Sequence, residues 1–170
     1  MPSDLLRALT CAAGPSLDSI SLVRPCFWVG PDHYLPIVKF NFSTLRNLTY
    51  RGSSEILTTL SKASNLEYLC LNTVSFSPDN GRPVALFECL ASLPRLQVLV
   101  FSIQTDISWL TADDIMAYLV AQKTLKTLIF LFSKWWRANS PWDRWSQTEK
   151  DEVYHLGTSI GVAFSMKVWE

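Results

Sequence analysis

The chain has 170 residues, 48% of them hydrophobic, and its 15 Lys and Arg balance 15 Asp and Glu to a formal net charge of zero. That length suits a single domain with a core of its own, and the apolar fraction excludes intrinsic disorder. Balanced charge excludes the long-range attraction that nucleic acid or an anionic membrane surface would need. Cys11, Cys26, Cys70 and Cys89 have no paired spacing, which predicts free thiols rather than a disulfide framework or a zinc cluster. The opening "MPSDLLRALTCAAG" carries an acid and no basic stretch ahead of its short apolar run, and the most apolar segment, "LIFLF" at 128–132, is only five residues. Neither a secretory signal nor a membrane span is expected, and the chain is placed in the cytoplasm or nucleus. There the triplets at Asn41 and Asn47 that match the N-glycosylation pattern would be silent.

In chain order, "PSDLLRALTCAAG" predicts a short helix that feeds a strand at "SLDSISL". Three prolines, Pro25, Pro31 and Pro36, make 24–40 an irregular loop. A strand at "TLRNLTY" is followed by a helix in "SSEILTTLSKAS", capped by Ser53 or Ser54. The next pair is a strand at "NLEYLCLNTV" and a helix in "RPVALFECLASLP", where Leu86, Phe87 and Leu90 form the stripe and Pro94 ends the segment. After the strand at "RLQVLVF" comes "TADDIMAYLVAQK". Thr111 is its expected N-cap, Asp113 and Asp114 sit where the helix dipole favours anions, and Ile115, Met116, Leu119 and Val120 are expected to face inward. A strand at "TLKTLIF" leads to a second irregular stretch, about 134–148. The tail gives a helix from "SQTEKDEV" with Val153, Leu156 and Ile160 inward, then a last strand in "AFSMKVWE".

The strands share one rhythm, with apolar residues at i, i+3 and i+5: Leu17, Ile20, Leu22; Leu45, Leu48, Tyr50; Leu66, Leu69, Leu71; Leu96, Leu99, Phe101; Leu125, Leu128, Phe130. Their first positions, 17, 45, 66, 96 and 125, lie 28, 21, 30 and 29 residues apart. The spacing belongs to neither a plain helix nor a plain strand, but L-x-x-L-x-L at such a period is the mark of stacked leucine-rich repeats. A unit of this size cannot bury its own apolar face, so neighbours must stack and share a core. The fold class expected is α/β: a short leucine-rich-repeat solenoid spanning residues 1–170 as one domain, a curved parallel sheet on the concave side and helices on the convex side.

The segments "LLRALTCAAGPSLDSISL", "SEILTTLSKASNLEYLCL", "LFECLASLPRLQVLVF" and "MAYLVAQKTLKTLIF" resemble the leucine-rich-repeat region of fungal F-box proteins, which repeat a helix followed by x-x-L-x-x-L-x-L. No segment corresponding to the F-box precedes the repeats, and Ser53, Val74, Gln104 and Ser133 stand where the family usually has asparagine. The resemblance implies an intracellular substrate-recognition part of an F-box-type ubiquitin ligase adaptor.

Strand alternation puts the residues between the leucines on the opposite, concave face. That face reads polar in its first half (Ser19, Ser21, Asn47, Thr49) and apolar later. Its candidate partner-binding residues are Tyr68, Val98, Val100, Thr127, Ile129 and Leu131, with Val23, Arg51, Thr73 and Ser102 one step further along, give or take a position. The segment "SKWWRANSPWDRWSQ" adds Trp135, Trp136, Arg137, Trp142, Arg144 and Trp145, residue types that dominate interface hot spots. Two readings stand side by side: these indoles anchor a partner, or they pack over the last repeats and cover the apolar rows. The loop at 24–40, with Phe27, Trp28 and Tyr34, is a weaker candidate of the same kind.

No G-x-S-x-G, H-E-x-x-H or C-x-x-C occurs, and His33 and His155 stand apart from any catalytic grouping. The expected function is non-catalytic binding of an unknown protein partner, without cofactor, metal, nucleic acid or membrane. The alternative is a truncated or degenerate repeat protein with a purely structural role or no specific one.

Overall fold

A computed structural model describes residues 19–22, 42–53, 60–75, 84–102, 109–133 and 143–169. These form an α/β unit built on one parallel sheet. Its strands are β1 (Ser19–Leu22), β2 (Asn47–Ser53), β3 (Tyr68–Ser75), β4 (Val98–Phe101), β5 (Thr127–Ser133) and β6 (Ala163–Trp169). They lie in the order β1-β2-β3-β4-β5-β6, so each strand pairs with its predecessor in the chain. A parallel neighbour needs a crossover of a dozen residues or more, and helices supply it. Those described are α1 (Val84–Ala91), α2 (Ala112–Ala121) and α3 (Gln147–Ser159). Helix α2 touches both α1 and α3.

The register aligns the repeated leucines. Leu48, Leu69, Leu99, Leu128 and Phe164 form one row across β2–β6, and Tyr50, Leu71, Phe101, Phe130 and Met166 form the next. In β1, Ile20 registers with Leu48 and Leu22 with Tyr50, so the first strand continues both rows in backbone terms. Leu48, Leu69, Leu99 and Leu128 are all 0% exposed. They share one cluster with Leu86, Leu90, Ile115, Tyr118 and Val153 from the three helices. Burial of that order stabilises by about 1.5–3 kcal/mol per side chain. Within it Phe101 and Phe130 stack at 5.1 Å, and the Phe130 and Phe164 rings lie 5.7 Å apart.

The opening leucine of each motif packs before the strand begins: Leu45, Leu66, Leu96 and Leu125 are buried at the turn. The turn repeats its own hydrogen bonds. Leu66 N–H donates to Ala63 and Leu96 N–H to Leu93. One residue later the carbonyl of Arg46 accepts from Glu67 (2.8 Å) and Tyr68 (3.0 Å). That of Glu67 accepts from Gln97 (2.8 Å) and Val98 (3.0 Å), and that of Gln97 from Lys126 (2.8 Å) and Thr127 (2.9 Å). The i, i+3, i+5 rhythm is therefore a turn leucine followed by two alternating strand residues.

Gln122 locks one turn to the next. Its amide nitrogen donates to the Leu90 and Leu93 carbonyls, both at 3.1 Å, while its oxygen accepts from Thr124 N–H (3.2 Å) and hydroxyl (3.0 Å). The single Thr124 hydroxyl hydrogen is shared between that oxygen and the Leu96 carbonyl at 2.9 Å. The buried Tyr118 hydroxyl lies beside this amide, close enough for the Gln122 side chain to act on the phenol but outside full hydrogen-bond geometry. Burial pushes the Tyr118 phenol far above its ordinary value, so it stays neutral.

The starts of α2 and α3 are both capping boxes. Thr111 Oγ1 accepts from Asp114 N–H while the Asp114 carboxylate accepts from Thr111 N–H, as expected for the Thr111 cap. Ser146 and Glu149 do the same for α3. Helix α3 ends in a Schellman motif: Gly161 at φ +77° donates to Thr158, and Val162 N–H donates to Gly157. A Cβ on Gly157 would come within 3.2 Å of the Val162 carbonyl, so a side chain there would need the start of β6 to give by a few tenths of an ångström.

Two helix expectations are corrected. Val120 is 55% exposed and Ile160 is 43% exposed, not inward. In α2 the buried stripe runs Ile115, Tyr118, Leu119 and Gln122, the i, i+3, i+4, i+7 set; Val120 falls beyond it and Met116 only flanks the core. Ile160 is the C-cap residue of α3, where the chain leaves the helix, and Val162 enters the core in its stead.

Candidate functional site

The helices bury one face of the sheet. Among the described residues none covers the other, and its residues follow three rows. The first runs Asn47, Tyr68, Val98, Thr127 and Ala163; the second Thr49, Cys70, Val100, Ile129 and Ser165. In the third, Arg51 registers with Asn72 and Leu131 with Lys167, so the β3 position falls one residue before Thr73. Ser19 and Ser21 extend the first two rows in backbone register.

Tyr68, Val98, Thr127, Ile129 and Leu131 are half-buried on this face, as strand alternation requires. Val100 departs from its expected role as a contact residue because it is only 4% exposed. It sits mid-sheet with Cys70 and Ile129 registered on either side and Val98 two residues away on its own strand. Cys70, at 8%, is its buried neighbour. Neither belongs to the helix-side cluster, so the two sheet faces bury separate sets of side chains. Burial pushes the Cys70 thiol up, the nearby Tyr68 phenol only partly offsetting it; burial also pushes the Tyr68 phenol up, reinforced by Cys70. Both groups are neutral at neutral pH, and a reactive thiolate is not formed at this position.

Of the tryptophan-rich segment, Trp135, Trp136, Arg137 and Trp142 lie outside the described residues, as do the loop at 24–40, Cys11, Cys26 and His33. Arg144 is exposed. Trp145 is corrected from contact residue to core residue: its indole is 6% exposed and its N–H donates to the Leu110 carbonyl at 3.1 Å. Leu110 and Trp145 immediately precede the N-caps Thr111 and Ser146, so the indole fastens the starts of α2 and α3 together. The irregular stretch ends there, since α3 begins at Gln147.

No grouping of three or more His, Cys, Asp or Glu among the described residues could hold a metal ion. No described helix is long and apolar enough to cross a membrane. Searches against protein-family models, curated proteins and solved structures return no match for this chain.

Proposed function

We propose that the protein is a short leucine-rich-repeat solenoid that binds a protein partner on the sheet face away from the helices. The single observation that carries this reading is the asymmetry of the sheet. One face is sealed under helices, while the other carries half-buried apolar residues, Val98, Ile129 and Leu131, under no described helix. Identical turn hydrogen bonds from unit to unit and consecutive parallel strand order support the repeat assignment. Curvature, with this face concave, follows from helices being wider than strands at each step. By resemblance to fungal F-box repeat regions, the partner is a substrate presented to a ubiquitin ligase, with the F-box supplied outside this sequence.

The test is selection of binders from an unbiased peptide-display library on the native chain and on Ile129→Lys and Leu131→Lys. Loss of the selected binders on both variants, with thermal unfolding unchanged, is expected. Binders indifferent to both substitutions would contradict the site, and none at all would favour a repeat protein with a structural role.

A further inference from the structure

Strand β6 pairs with β5 over all seven of its residues without a bulge, and among the described residues no strand lies on its other side. Ala163 N–H donates to the Lys126 carbonyl at 2.8 Å, toward β5, so alternation directs the N–H and C=O of Met166 to the outer edge. The core opens at the same place. Tyr50, Leu71, Phe101 and Phe130 are at most 4% exposed, whereas Met166 in their row is half-buried. Leu48, Leu69, Leu99 and Leu128 are fully buried, whereas Phe164 in theirs is half-buried. On α3, the helix of this unit, Tyr154 and Ile160 are both exposed. Repeat arrays ordinarily close with a polar outer face, and edge strands with a bulge, a proline or a cover. Strand β6 has neither bulge nor proline.

We propose that β6 pairs antiparallel with β6 of a second copy of this chain, about a two-fold axis that passes beside Met166 perpendicular to the sheet. Chain length argues against the nearest alternative occupant. Nine residues, 134–142, separate Ser133 at the end of β5 from Asp143. Trp145 is fixed to Leu110, where α2 also begins, so both ends of that segment lie on the rim where strands end and helices start. Running beside β6 for about 23 Å and returning takes about fourteen residues, more than the segment has. A second β6 matches the edge in backbone and in charge. Pairing along the whole strand centres the register on Met166, the fourth of seven. Met166 and its counterpart then form a hydrogen-bonded pair, as their outward N–H and C=O require. The same register sets Lys167, the one charged residue of β6, opposite Ser165 in a non-hydrogen-bonded pair, twice per dimer. Centring on Lys167 would instead set that cation against itself. The axis keeps the helices of both copies on one side, brings α3 beside its counterpart, and joins the two helix-free faces into one surface.

The experiment is sedimentation velocity on the intact chain over a range of concentrations, with charge introduced at the half-buried position 165. The native chain is expected to pass reversibly from monomer to dimer. Ser165→Lys creates two like-charged pairs across the axis and should raise the dimer dissociation constant about twofold to thirtyfold at low salt. Ser165→Glu should lower it by about the same factor, because each carboxylate then meets Lys167 of the other copy. The charge-swapped double variant Ser165→Lys, Lys167→Glu should dimerise more tightly than Ser165→Lys, which separates the pairing from any loss of folding. Far-ultraviolet circular dichroism should be the same in all four proteins. A monomer at every concentration, or an open-ended assembly, would overturn the proposal. So would a dimer whose dissociation constant is unmoved by all three sets of substitutions.

Discussion

The two faces of the sheet are built from alternate residues of the same strands and obey different rules. In β4, Leu99 and Phe101 are 0% and 1% exposed beneath the helices, whereas Val98, one residue away, is half-buried on the face no described helix covers. The helix side is chosen for volume: leucines and phenylalanines registered across five strands, with Gln122 tying the turns. The other side tolerates asparagine, threonine, tyrosine and serine beside valine and isoleucine, yet holds no acid.

Substitutions sharpen this contrast. Leu99→Ala empties a fully buried site and should destabilise by about 3–5 kcal/mol, whereas Val98→Ala should cost about 1 kcal/mol or less, both read from denaturant midpoints at constant m. Equal costs would erase the distinction between the faces. Next in size, Gln122→Ala strands the Leu90 and Leu93 carbonyls in the interior and should cost about 1–3 kcal/mol in the same measurement. Thr111→Ala removes the α2 cap and should cost about 1 kcal/mol, with Thr111→Ser close to wild type. Tyr118→Phe deletes a buried hydroxyl that lies outside full hydrogen-bond geometry, so stability should hold or rise by less than about 1 kcal/mol; a clear loss would reveal a working bond to Gln122 or to a water there.

The smallest effect is one of pH. Hydrogen bonds from the Ser146 side chain and backbone hold the Glu149 carboxyl below its ordinary 4.5. A depressed folded value stabilises above the unfolded value and is lost as pH falls through the folded one. Thermal scans should therefore show a shallower stability loss below about pH 4.5 in Ser146→Ala than in wild type.

The parallel sheet and its core were legible because two periods coincide in the sequence. L-x-L alternation marks the inward strand residues, and the turn leucine three before them marks each turn. The stripe Leu86, Phe87, Leu90 and Leu93 was legible for the same reason, being apolar throughout. Side chains of mixed character were not. Tyr118 and Gln122 complete the α2 stripe by position, but their polar ends hide it, and Val120 takes their place in a reading by hydropathy alone. Trp145 stands among charged residues and reads as surface; only its bond to Leu110, 35 residues earlier, brings it inside. In the final unit Gly161 occupies the position of the turn leucine, because the helix end needs a positive φ there. The candidate face was legible as alternation, but the burial of Val100 and Cys70 on it was not, since alternation says which face a side chain takes and not how far it is covered.

The central claim, one sealed face and one available face on a single sheet, is tested most directly by cysteine scanning along β5. Single cysteines at positions 127 to 131, in a background with Cys11, Cys26, Cys70 and Cys89 all changed to Ala, would be timed against a water-soluble maleimide under native conditions. Positions 127, 129 and 131 should react at least tenfold faster than 128 and 130, whose labelling waits on opening of the core. Uniform rates along the strand, or the inverse alternation, would contradict the account.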